Sequence, residues 1–181
     1  MVDEPSEQRI DLDKSLYRIP PDKYGGEYQN HLLEQYKLYV QMADKTSERR
    51  QSANSFFLTV NTALIAFIGL VATPDVGSIP SIASNPPLPW VLVVSASGVV
   101  LCYSWYRLVR SYKDLNSGKF KVVYAIESRL PSSPYDAEWE AVGRGEDPML
   151  YLPFTNVEIW IPWVFAALYM LLAIWNVVQS I

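Results

Sequence analysis

The chain has 181 residues, enough for one domain or at most two small ones. Half of them are hydrophobic and 19% are charged, with a formal net charge of −4. That balance gives no expectation of nucleic acid, which needs clustered, unpaired Lys and Arg. A single cysteine, Cys102, excludes an intrachain disulfide, and with His31 the one histidine a structural zinc site lacks ligands.

Residues 1–26 form a polar tail with Asp3, Glu4, Glu7, Asp11 and Asp13, and lack the apolar core of a removable secretion signal. Residues 27–54 are strong helix formers without Pro or Gly. Leu33, Tyr36, Val40 and Ala43 recur at spacings of three and four, which predicts an amphipathic helix with one packing stripe. In so small a chain the partner of that stripe is expected to be another subunit. Nothing between Arg50 and Phe56 breaks a helix, so one long helix is predicted to continue through the next segment.

Three segments carry no charge: 55–73, 90–106 and 159–178. Crossing about 30 Å of hydrocarbon takes about 20 mainly apolar residues. Buried helices of soluble cores are usually shorter and keep a polar face, so all three segments are predicted to span a membrane. All fifteen Lys and Arg lie either before the first span or between the second and third. Positive charge favours the cytoplasmic face, which predicts a cytoplasmic N-terminus and an external C-terminus. The Pro-rich loop 74–89 then lies outside and is too small to be a domain.

Segment 107–158 is expected to be cytoplasmic and helical. Arg107, Arg110 and Lys113 place a basic face next to the second span, suited to lipid headgroups. Asn116, Ser117 and Gly118 predict a break. A further amphipathic helix follows, through Phe120, Val123, Tyr124, Ile126 and Leu130, stopped by Pro131. A short turn around Trp139 and the Gly143-Arg144-Gly145 triplet precede the return to the bilayer. These helices are expected to fold back on the N-terminal helix. The predicted fold class is all-α.

No catalytic constellation is present. There is no phosphate-cradling Gly-rich loop, no dinucleotide fingerprint, and no second His to act as base for a Ser nucleophile. Neither a cofactor nor an enzymatic activity is therefore expected, and no small ligand is identified. The acidic run Asp136, Glu138, Glu140, Glu146 and Asp147 lacks EF-hand spacing and reads as a solvated loop.

Inside the first span the telling residues are polar. Asn54 and Asn61, seven apart, share a stripe with Leu58, Ile65 and Ile68, with Thr59 and Thr62 close by. An Asn in lipid needs a partner. Either Asn61 bonds to a neighbouring helix and fixes assembly, or it lines a wet pore. The candidate interface or pore residues are thus Asn54, Leu58, Asn61, Thr62 and Ile65, with Leu33, Tyr36 and Val40 below them. Ser95, Ala96, Ser97 and Gly98 allow close helix approach in the second span. The third, bulky at Phe165, Tyr169, Met170, Leu171 and Leu172, is expected to face lipid.

Two strings resemble a known family. YKLYVQMADKTSERRQSANSFFLTVNTAL (Tyr36 to Leu64) and SWYRLVRSYKDLNSGKFKVVYAIESRLP (Ser104 to Pro131), with YDAEWEAVGRG after them, are similar to the RipA family of octameric bacterial membrane proteins. The resemblance covers Tyr36 to about Trp163. It implies a homo-octamer in the bacterial inner membrane with a role in stress adaptation or intracellular growth, and no functional residues come with it. Taken together, a non-enzymatic, homo-oligomeric inner-membrane protein with a cytoplasmic helical collar is expected. The alternative is a channel lined by the first span.

Overall fold

A computed structural model describes residues 12–72, 88–146, 149, 151 and 157–180. The tail to Asp11, most of the Pro-rich loop, Asp147 and most of the return segment lie outside these residues. The elements are α1 (Leu12–Leu16), α2 (Pro21–Tyr24), α3 (Tyr28–Ala72), α4 (Leu88–Glu127), α5 (Pro134–Ala141), a 3-10 turn at Gly143–Gly145, and α6 (Ile161–Ser180). There is no strand among the described residues. The chain is all-α.

Three helices are long and apolar enough to cross a membrane. The best windows of α3, α4 and α6 have mean hydropathy of 1.3, 1.4 and 1.9. At 1.5 Å per residue, the 45 residues of α3 make a helix about 68 Å long, more than twice the hydrocarbon thickness. It starts just after Gly25 and Gly26 and meets no Pro within its length, so the expected continuity into the first span is observed.

The predicted break at Asn116-Ser117-Gly118 does not occur: α4 continues to Glu127. One Gly inside a helix costs only about 1 kcal/mol relative to Ala. The turns beyond it place Val123, Ile126 and Glu127 in the interior, which outweighs that cost. The helix ends in tightened turns, with Arg129 and Leu130 donating to the Ile126 and Glu127 carbonyls at 3.0 and 2.9 Å, just before Pro131.

The chain divides into two compact units, Met1–Thr46 with Asp114–Leu152, and Ser47–Lys113 with Pro153–Ile181. In the first, α3 turns Tyr36 and Tyr39 to α4. Leu32 and Ala43 are buried, Tyr36 bonds Glu127, and Lys119 sits over the Tyr39 ring at 5.2 Å. The stripe therefore runs one residue off the predicted one at its start: Leu33 is 40% exposed. The predicted fold-back of α4 on this helix is observed, but inside one chain. At the edge of this unit Tyr17 donates to the Ala125 carbonyl at 2.6 Å. Arg129 covers the Tyr17 ring at 3.2 Å and pairs with Asp13.

In the second unit the interior gathers Ile68, Cys102, Ala166 and Tyr169, flanked by Leu64, Ile65, Val94, Val99, Phe165 and Leu172. Trp105 is buried between Phe57, stacked at 5.8 Å, and Phe165 at 6.0 Å.

Candidate functional site

The polar groups of the three apolar helices converge inside the protomer. Asn61, on α3, is fully buried. Its Nδ2 donates to the Phe57 carbonyl one turn back at 2.8 Å, leaving Oδ1 for the other two helices. Cys102 Sγ of α4 donates to that oxygen at 3.4 Å and the Tyr169 hydroxyl of α6 at 3.1 Å. One amide thus ties three helices. Two turns before it, Asn54 Oδ1 accepts from Trp105 Nε1 at 2.7 Å. Residues seven apart lie on one helix face, and here that face looks at the chain's own neighbouring helices.

Gly98 explains how Tyr169 reaches the amide. A Cβ at position 98 would lie 2.5 Å from the tyrosine ring, so only a glycine lets the ring cross α4 there. Ser95 is buried on the same face, whereas Ala96 and Ser97 are exposed and the Ser97 hydroxyl bonds the Val93 carbonyl at 2.8 Å.

These positions bear on two expectations. Asn61 is buried and bonds the protomer's own helices, whereas Asn54 is half-buried with its Oδ1 on Trp105. The third span does not simply face lipid, because Ala166 and Tyr169 are interior. A phenol in hydrocarbon has to find an acceptor, and bulk alone did not reveal that. The sequence carries one usable signal for Tyr169, the single phenol of the third span together with the small residues of the second.

Of the other candidates, Ile65 and Val40 are half-buried, while Leu58 (44% exposed), Thr62 and Leu33 face outward. Leu38 and Met42, which the stripe reading passed over, are exposed large apolar side chains on α3 at i and i+4. Arg107 and Arg110 are exposed on α4, with Arg110 bonding the Tyr106 hydroxyl at 3.0 Å, and Lys113 is half-buried. Close by, Tyr106 packs on Trp163 at 5.3 Å, and Arg50 faces Glu158 at 3.6 Å.

In the first unit the polar centre is Glu127, fully buried at the last turn of α4. Its carboxylate accepts from the Tyr36 hydroxyl at 2.7 Å and from the Tyr135 and Asp136 amides at 3.2 and 3.4 Å. Those amides open α5, where Pro134 occupies the first position and Ser133 supplies no side-chain cap. Glu127 thus caps α5 from another helix. Burial, the hydrogen bond to Glu127 and its charge all push the Tyr36 phenol well above its ordinary value of 10.0.

Within the acidic run, Arg144 binds Glu140 and pairs with Asp136 at 3.8 Å. Arg144 is held at φ 52° between two positive-φ glycines, a conformation that an L side chain rarely adopts. Among the described residues no group of three or more His, Cys, Asp or Glu is placed to hold a metal ion.

Against this geometry, one comparison is decisive. The model of the octameric membrane protein family matches residues 33–178. The chain belongs to that family. Membership agrees with the three apolar helices and makes this octameric-family chain a membrane protein that self-associates. Neither the curated proteins nor the solved structures yield a match.

Proposed function

We propose that the chain forms a homo-octamer in the bacterial inner membrane, with a scaffolding role in stress adaptation, no enzymatic activity and no bound cofactor. Its N-terminus and the segment between the second and third spans lie in the cytoplasm. The observation that carries this reading is the division of α3 into two faces. One is consumed by the protomer through Asn54, Asn61 and the Leu32-Tyr36-Tyr39-Ala43 stripe. The other leaves Leu38 and Met42 uncovered; Leu58 and Thr62 are exposed too, but roughly 160° around the helix from them at 3.6 residues per turn. Apolar side chains exposed on a charged helix need a cover, and a second copy provides one. Arg107, Arg110 and Lys113 are assigned to anionic lipid headgroups.

Against the channel alternative stands Asn61, buried inside the protomer; among the described residues of the first span, Ser55, Thr59 and Thr62 are exposed polar groups. Planar-bilayer recording tests it: no discrete conductance is expected, and a conductance altered by Thr62→Leu would establish the channel. Topology is tested with a reporter on Ile181. It should react from the external side only, and labelling from the cytoplasm would reverse the orientation.

A further inference from the structure

Beside α5, in the unit that Glu127 organises, lies a recess of about 500 Å³ that none of the assembly reading uses. Its walls are aromatic. Phe120 packs on Tyr124 at 6.2 Å and on Tyr135 at 5.7 Å, forming one wall. Trp139 and Tyr151 meet edge to face at 6.4 Å and 84°, forming a corner. All five rings line the recess together with Glu138, and the exposed side chains of Ser117, Lys121 and Glu138 give it a polar mouth.

We propose that this recess binds a small, soluble organic ammonium ion. Ring faces carry negative quadrupole potential, and several rings arranged as walls around a carboxylate are the recognised surroundings of alkylated ammonium groups. The local field has the matching sign. The Tyr124 hydroxyl is held above its ordinary value by burial and then by Asp136, Glu127 and Glu138, and that of Tyr135 by burial and then by Asp44, Glu138 and Glu127. Two cations oppose this. Arg144 is engaged by Glu140 and Asp136, and Lys121 is exposed, so its ammonium reaches water along a flexible stem. The charged lining residues are Glu138, which repels an anion, and Lys121. A cation without alkyl groups would gain little from five rings. The polar mouth favours a dissolved ligand over a lipid headgroup.

The test uses the full chain in phosphatidylglycerol nanodiscs, which contain no ammonium lipid, with calorimetric titration of choline and of tetramethylammonium. Saturable binding of both is expected, with no matching signal from potassium chloride or sodium acetate. Glu138→Gln should weaken binding about tenfold. Trp139→Leu should abolish it, while Trp139→Phe retains it. Glu34→Gln, an exposed acid on α3 that does not line the recess, should bind like the unaltered chain. The proposal is overturned if neither ammonium ion binds saturably, if acetate binds instead, or if Glu138→Gln leaves affinity unchanged. A parallel titration in nanodiscs with added phosphatidylcholine reads the lipid source, and an ammonium signal seen only there would overturn it equally. These outcomes are independent of subunit number, so failure here leaves the assembly reading standing.

Discussion

An amide placed in hydrocarbon has to satisfy both its oxygen and its nitrogen, and Asn61 does so through Phe57, Cys102 and Tyr169. Tyr169→Phe removes one of those bonds and is expected to destabilise the protomer by about 0.5–2 kcal/mol. Gly98→Val is expected to cost about 1–3 kcal/mol by driving the ring off α4. Thermal unfolding in detergent checks both, and an unchanged midpoint in either variant would remove the three-helix knot. The need of Asn61 for a partner was legible in the sequence. Its partner was not, because helical spacing gives the face of a residue but not which helix covers that face. At Glu127 the chemistry is titratable through Tyr36. A folded-state pKa raised above 10.0 means that stability is intact below that value and lost as pH rises past it, since only the unfolded chain ionises readily. Alkaline unfolding of the polar unit should therefore begin above about pH 10, and Tyr36→Phe should flatten the dependence. A profile unaffected by that change would mean that the phenol is not held by the carboxylate.

Elements were legible to different degrees. Charge-free length located α3, α4 and α6, because crossing lipid imposes a demand that no soluble helix meets in this form. Continuity of α3 followed from the absence of breakers. The end of α4 was misplaced, since a weak local penalty at Gly118 is overridden by tertiary burial of Val123 and Ile126, which local propensity does not contain. The cap of α5 was invisible for a related reason: it is supplied by Glu127 from another helix rather than by Ser133. Glu127→Ala should leave α4 helical but expose the Tyr135 and Asp136 amides. Hydrogen exchange should report faster exchange at those two positions, and the cost of the unsatisfied groups is about 1–3 kcal/mol. Retained protection there would show that α5 is capped by other means. The outward face of α3 predicts that Leu38→Asp with Met42→Asp lets the chain insert and fold yet prevents assembly. Size-exclusion chromatography reads that outcome, and an intact oligomer would move the interface elsewhere.

At the scale of the whole molecule, each chain bonds Asn61 and the Asn54 oxygen within itself and keeps large apolar side chains on the outside, among them Leu38, Met42 and Phe56. Such a protomer is complete as a bundle and incomplete as a surface. Lipid covers the spans, but Leu38 and Met42 share a helix stretch with Lys37, Asp44 and Lys45, where another protein is the better cover. The number of copies was not legible in composition or spacing, since closed rings of different size can use the same patch and differ only in the angle between neighbours. Membership in a family named for its octamers supplies the number eight. Native mass spectrometry of the detergent-extracted complex measures it directly. A single species at eight times the 20.6 kDa chain is expected, and a monomer that persists at high protein concentration would contradict it.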